Sequence, residues 1–328
     1  MSQNHSMQFD GLDDSVILDE NYTFQATDAF SVEAWVSHDN QGVIQQIVAK
    51  LGADSNTYRG WGFQILSNGR ISGYVSSEFF VDYRLVRGTT LLLPNTWYHV
   101  AMTYDGNGEI SLFVDGQPDP IESREDDGVL TDIATSAPAR IGAFGEIGLL
   151  EEPYRGLIDD VRIWDGVRTA QEIETNYLTE LSGNEAGLVG YYKMDDVNSS
   201  CDVQDCSINQ IHGTRDGLLG SEGIPQFSNE IPTITNVECG VTQDCTLAIA
   251  TEQILEIVLS PNPARDVISI VGMEDENFRV AICDMLGKIL IDTTTNAQTI
   301  DVSELAQGVY FASFYVQKKQ ITKRFIKK

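Results

Sequence analysis

The chain has 328 residues, with 21 Lys and Arg against 49 Asp and Glu, and a net charge of −28 at pH 7. Residues 257–328 hold nine of the basic and eight of the acidic residues, so the whole negative excess lies in residues 1–256. Such a surface repels nucleic acid and anionic lipid, and no apolar run approaches the ~20 residues that a membrane-spanning helix needs.

The length suffices for one large β-sandwich and a smaller domain. Residues 7–18 predict two strands around a turn at Asp10-Gly11. Residues 30–37 alternate, with Phe30, Val32, Ala34 and Val36 on one face and Ser31, Glu33, Trp35 and Ser37 on the other. Residues 44–50, 62–66 and 70–76 read as strands, the last two joined by an Asn68-Gly69 turn, and 78–87 and 91–93 continue the sheet. Residues 97–116 form a β-hairpin, with residues tolerant of positive φ at Asp105, Gly106, Asn107 and Gly108. Residues 117–138 read as a polar loop whose centre, 122–128, is strongly acidic. Strands are expected again at 140–144, 157–164 and 187–196. Between them lies one helix: Thr169 and Glu172 have capping-box spacing, Ile173, Tyr177 and Leu181 share a face, and Gly183 stops it. Residues 219–256 read as a linker, and short strands separated by turn residues from 257 onward read as a second, small sandwich.

Five segments in order, FDGLDDSVIL (9–18), FSVEAWV (30–36), TWYHVAMTYDGNGEISLFVDG (96–116), ARIGAF (139–144) and GLIDDVRIWDGVRTAQEI (156–173), resemble the laminin-G-like, concanavalin A-type jelly-roll domains of bacterial surface proteins. The phrases IVLSPNPARDVISI, FRVAICDMLGKILI, TIDVSELAQGVYFASFYV and ITKRFIKK resemble the C-terminal sorting domain of type IX secretion cargo. The matching residues are Pro261, Asn262 and Pro263, the turn with Asp284, Gly287 and Lys288, then Gly308 and Tyr310, and the basic end Lys323, Arg324, Lys327 and Lys328. Together these imply an all-β chain. A concanavalin A-like jelly-roll with one short helix is expected at 7–218, a linker at 219–256, and an immunoglobulin-like β-sandwich at 257–328. The second resemblance implies recognition by the type IX machinery at the outer membrane, a cut within residues 220–257, and a secreted or surface-attached product. Met1 to Ser6 show neither a basic n-region nor an apolar stretch, so no signal peptide is visible.

Cys201/Cys206 and Cys239/Cys245 are close in sequence and read as two short disulfide loops; zinc, the rival, lacks C-x₂-C spacing and a nearby His pair. Cys283, in an apolar run, reads as a buried free thiol. Jelly-rolls of this kind hold calcium where loops converge. The resemblance makes the first and late strands neighbours and implies Asp10 and Asp13 in the first turn, with Asp159 and Asp160, as ligands; turn-capping by Asp10 and Asp13 is the alternative. Sugar recognition uses exposed aromatic rings, and among Tyr58, Trp61, Phe79, Phe80, Tyr83 and Tyr154 the pair Tyr58 and Trp61 is the expected ligand-binding set. The Glu-x-Asp-x-x-Glu strand of glycosidases on this fold is absent, as are a Gly-x-Ser-x-Gly elbow and a phosphate loop. His99 is assigned to packing. A carbohydrate-binding or adhesion module is the expected function, ahead of a structural module of a larger surface protein and of a glycan-active enzyme.

Overall fold

The computed structural model describes residues 5–39, 42–52, 58–79, 81–146, 149–195, 202–217, 224–235, 237, 258–271, 278–283, 288–295, 297, 299–316 and 319–328. The chain divides into two units, Met1–Thr246 and Leu247–Lys328.

The larger unit is a sandwich of two eight-stranded sheets. The first sheet runs in the order Gln117–Asp119, Ile110–Val114, Tyr98–Tyr104, Phe30–His38, Arg155–Trp164, Ser6–Asp10 and Gln226–Ser228. Its eighth strand, Leu188–Tyr192, pairs with the second half of Arg155–Trp164. The second sheet runs Ile121–Asp127, Asp82–Leu91, Arg70–Glu78, Arg59–Ile65, Gln45–Gly52, Arg140–Ile141, Ser15–Ile17 and Thr214–Asp216. Alternation decides what fills the space between the sheets. Phe30, Val32, Ala34 and Val36 from the first sheet meet Trp61, Phe63, Ile65, Ile71, Val75 and Val86 from the second. The Phe24 and Phe30 rings stack at 4.5 Å beside Trp61.

Three expectations are corrected here. Residues 122–127 belong to the edge strand Ile121–Asp127, which pairs with Asp82–Leu91. The strand lacks an apolar alternation because it lies at the edge and is held by charge. Glu125 pairs with Arg87, Glu122 with Arg70, and Arg124 with Glu109 at 2.7 Å. The linker also begins later than residue 219. Gln226–Ser228 adds a strand against Ser6–Asp10, and Thr235 exchanges backbone hydrogen bonds with Leu178 and Glu180. The helix is shorter than predicted. Ala170–Asn176 is opened by the predicted capping box of Thr169 and Glu172, and ends at a Tyr177 cap, before Leu181 and Gly183.

The smaller unit packs a three-stranded sheet, Val258–Ser260, Val267–Val271 and Thr299–Asp301, against a four-stranded one, Ile289–Thr295, Phe278–Cys283, Gly308–Val316 and Lys319–Lys327. Ile268, Ile270, Val280, Ile282, Phe314 and Phe325 fill its core. Cys283 is a free thiol but only half-buried: Val280 and Ile282 take the core face of its strand, and alternation turns Cys283 outward.

Candidate functional site

Each sheet of the larger unit has an outer face. That of the first sheet is covered, and it holds most of the buried charge. Glu33, Trp35, His99 and Arg162 project from neighbouring strands, with Glu33 opposite Arg162 and Trp35 opposite His99. The helix lies over them through Ile173, which packs on Ala101 and Phe113. Trp35 donates its indole N–H to the Tyr177 carbonyl at 3.1 Å and stacks on that ring. Arg162, fully buried, donates to the carbonyls of Asn176 and Thr179 at 3.2 and 2.8 Å, which satisfies the C-terminal end of the helix. Its other partners are Asp160 at 2.5 Å and Glu33 at 3.9 Å, and His99 Nε2 lies 3.3 Å from Glu33. Burial opposes the charge on Glu33, but His99 and Arg162 hold its carboxyl below the ordinary value. Burial likewise opposes the charge on Arg162, and Asp160 and Glu33 raise its pKa in spite of it.

The expected metal set is divided between two places. Asp159 and Asp160 are each 1% exposed and belong to the buried charge of the first sheet. The strand Arg155–Trp164 bulges between Asp159 and Arg162, and Asp160 takes a left-handed backbone (φ 48°), which turns its carboxylate to Arg162. Asp10 faces Arg155, at the other end of that pairing, so Asp159 and Asp160 do not join it. Asp10 and Asp13 instead gather with Asp14, which the sequence reading passed over; one oxygen from each lies within 4.8 Å of the other two. The D-x-x-D-D spacing around Gly11 was the available signal.

Asp159 is the least comfortable group in the first sheet. Burial and the nearby Asp160, Asp195 and Glu180 carboxylates push its pKa well above the ordinary 3.8, and its Oδ2 has no donor. A carboxyl raised on folding costs stability as pH climbs from the unfolded value through the folded one. Asp159→Asn is therefore expected to raise the melting temperature at pH 7 by a few degrees and to have no effect near pH 3, read from melting curves across that range.

The outer face of the second sheet carries different chemistry. Gly60, Gly62 and Gln64 point outward from Arg59–Ile65, opposite Ser76, Tyr74 and Ser72. Gly62 leaves room for the Tyr74 ring, since a Cβ there would stand 2.2 Å from the tyrosine oxygen. Ala49, Leu51, Tyr74, Tyr83, Leu85 and Phe144 form a second apolar cluster on this face, with Tyr58 and Phe79 packed at its rim. Tyr58 meets Phe144 edge-on at 6.2 Å, while Phe79 stacks on Tyr83 at 5.2 Å and meets Tyr74 edge-on at 5.6 Å. Tyr58 and Phe79 remain half-exposed. Tyr58 also holds a left-handed backbone (φ 46°), a costly conformation for a bulky residue. Around the rim Gln46 donates to Gln64 and Glu152 at 2.7 and 2.6 Å, and the Tyr58 hydroxyl donates to Glu151 at 3.4 Å. Burial, and then Glu151, push the Glu152 carboxyl up, with the Gln46 bond opposing them.

Trp61 is corrected on this evidence of packing. It is fully buried between the sheets and donates its indole N–H to the Tyr22 carbonyl at 3.1 Å, so it offers no face to a sugar. Tyr154 is likewise in the core, and Phe80 lies outside the described residues. Cys206 is disulfide-bonded, while Cys201, Cys239 and Cys245 lie outside the described residues.

In the smaller unit Asn262 is a clasp. Its Oδ1 accepts the Ile326 N–H at 2.9 Å and its Nδ2 donates to the Arg324 carbonyl at 3.3 Å, while Ala264 on the same segment exchanges hydrogen bonds with Ile326 and Lys328. Pro261 and Pro263 flank it and are exposed. Tyr310 stacks on Phe325 and donates its hydroxyl to the Ala306 carbonyl at 2.9 Å, and Gly308 begins the strand that carries it. Lys288, Arg324 and Lys328 are exposed, Lys323 is half-buried and Lys327 buried; Asp284 and Gly287 lie outside the described residues.

Comparison with curated protein sequences gives no match. Among solved structures, a proposed carbohydrate binding protein from Bacteroides ovatus is similar at 22% identity and a TM-score of 0.49, over 65% of this chain and 58% of that one, less than two thirds of its length. A heptameric SAP-like pentraxin from Limulus polyphemus is similar at 16% identity and a TM-score of 0.42, over 74% of this chain and 99% of that one. The CBM40 of a Ruminococcus gnavus IT-sialidase is similar at 14% identity and a TM-score of 0.39, over 46% and 83%. Residues 259–328 match the model of the secretion system C-terminal sorting domain, that of type IX cargo, which directs export. Residues 10–174 match the family model of the concanavalin A-like lectin/glucanases superfamily, and the chain belongs to that family.

Proposed function

We propose that the larger unit is a non-enzymatic glycan-binding module, exported by the type IX route and displayed or released outside the cell. Its binding surface is the aromatic rim on the outer face of the second sheet. The observation that carries this is Tyr58: a half-exposed ring in a strained backbone, fixed edge-on by Phe144 and tied through its hydroxyl to Glu151. A ring ordered in advance stacks on the apolar face of a pyranose at little entropic cost, and amide and carboxylate groups beside it bind hydroxyls. The rim favours uncharged sugars. Among the described residues Glu151 and Glu152 form no ion pair, and Glu125 already engages Arg87, so a sialylated or uronic ligand meets repulsion. Export also suits the disulfide at Cys206, which an oxidising compartment preserves.

The test is a glycan array with the full chain and with Tyr58→Ala. Binding to neutral glycans is expected, weakened about tenfold or more by the substitution, which is roughly 1.4 kcal/mol. Equal binding by both proteins, or binding confined to sialylated glycans, would sink the assignment of this face. The raised Glu152 carboxyl is the one feature that favours the rival reading, a glycan-active enzyme with that group as acid. Release of reducing sugar from the bound glycans, lost in Glu152→Gln, would decide for it.

A further inference from the structure

Segments from both ends of the larger unit meet at one buried ammonium. Lys193, 9% exposed, reaches Glu180 at 2.7 Å, Asp195 at 3.5 Å and the Val237 carbonyl at 2.6 Å. Burial opposes its charge, and Glu180 and Asp195 raise its pKa in spite of that. Each carboxylate ties in a further segment. Asp195 accepts the His5 N–H at 2.8 Å, and Glu180, 3% exposed, accepts the Val237 N–H at 2.7 Å. The chain that arrives at Val237 is fastened along its way. Gln226–Ser228 pairs with Ser6–Asp10, and Phe227 packs against the sandwich core with the Arg215 guanidinium 4.8 Å from its ring centre. Arg215 also donates to the Pro225 carbonyl at 3.1 Å, and the Ser6 hydroxyl to the Glu230 carbonyl at 2.6 Å. Thr235 then donates to the Leu178 carbonyl and accepts the Glu180 N–H, both at 2.9 Å.

We propose that residues 224–237 are a strap of the larger unit, and that proteolysis separating the two units leaves the chain intact through Val237. Backbone hydrogen bonding and burial decide where a protease cuts, and position between two domains does not. A cut within the strap requires opening Lys193 and its buried carboxylates, and a buried ion pair resists losing one partner. A cut ahead of residue 224 nicks the chain without separating the units, because the strap stays docked. The cut expected within residues 220–257 is thereby confined to the part beyond Val237.

The experiment is limited proteolysis of the full chain with proteinase K, read by mass spectrometry, beside native-state hydrogen exchange. The released C-terminal unit should begin after Val237, and the Thr235 and Val237 amides should exchange at least about a hundredfold slower than unprotected ones. Thr235→Pro with Val237→Pro removes both donated N–H groups. Neither side chain belongs to a core cluster, and Glu180 keeps Lys193. This variant should be cut within residues 224–237 at least about tenfold faster than the wild type. Should it fail to fold, the wild-type fragments and exchange decide alone. Release of the C-terminal unit by a cut at or before Val237 in the wild type would overturn the proposal. So would unprotected amides at both positions, or a folded variant that is cut like the wild type.

Discussion

Arg162→Ala is expected to destabilise the larger unit by about 3–5 kcal/mol, the cost of removing one partner from a buried charge cluster. In a domain of this size that lowers the melting temperature by roughly 6–20 °C. The guanidinium joins Asp160, Glu33 and two helix-end carbonyls at once. Without it Asp160 and Glu33, at 1% and 2% exposure, lose their shared guanidinium in the interior. Arg162→Lys is expected to recover little, because one ammonium cannot reach four acceptors spread around a planar fork. The acid limb of the stability profile supplies a second readout. Glu33 is held below its ordinary value of 4.5, so its contribution is complete above that pH and is lost as pH falls through the lower folded value. In Arg162→Ala that loss should begin at higher pH, since one of the groups that hold Glu33 ionised has gone. Denaturant melts of both variants from pH 3 to 8 would measure it; a loss under about 1 kcal/mol would mean that the cluster is hydrated and exchanges partners freely.

What could be read from the chain beforehand depended on whether local pattern or long-range pairing set the structure. The hairpin at Tyr98–Val114 and the Thr169–Glu172 capping box are local, and both are present as expected. Trp61 was legible too, because Gly60-Trp61-Gly62-Phe63-Gln64-Ile65 alternates with a period of two and puts Trp61 beside Phe63 and Ile65 in the core. Starting the strand at residue 62 hid that alternation, and of Tyr58 and Trp61 it is Tyr58 that stays at the surface. The strand at Ile121–Asp127 was not legible. Its seven residues include one aliphatic side chain, and the arginines that neutralise it come from distant positions in sequence. Nor was the fate of Asp159 and Asp160. A bulge and a single left-handed residue buried both, with Asp160 in an ion pair with Arg162 and Asp159 beside it, and bulges leave no periodic trace. Asp10 and Asp13 gather with Asp14, one residue on, which the same turn buries while leaving its neighbours half-exposed.

Deleting residues 317–328 is expected to abolish delivery to the cell surface and leave the protein in the periplasm. The deletion removes Lys319–Lys327, which pairs along its whole length with Gly308–Val316, and with it Phe325 from the core. It also frees Asn262 and Ala264, whose hydrogen bonds fasten the first segment of the unit to the last. Failure of export could then reflect either a lost address or a domain that no longer folds, and two further variants separate these. Asn262→Ala breaks only the clasp and should cost about 1–2 kcal/mol of the unit's stability, with export reduced in proportion to the unfolded fraction. Arg324→Glu with Lys328→Glu reverses exposed charges that take no part in the core. If the export machinery reads the basic end, the charge reversal should block export while the domain stays folded. If it reads the folded sandwich, export should survive the reversal and fail only in the deletion. Protease accessibility on intact cells distinguishes the outcomes, and normal surface exposure of the deletion would remove the sorting role from this end of the chain. The two units are thus tested separately: Tyr58→Ala leaves the C-terminal unit intact, and the charge reversal at Arg324 and Lys328 leaves the larger sandwich intact.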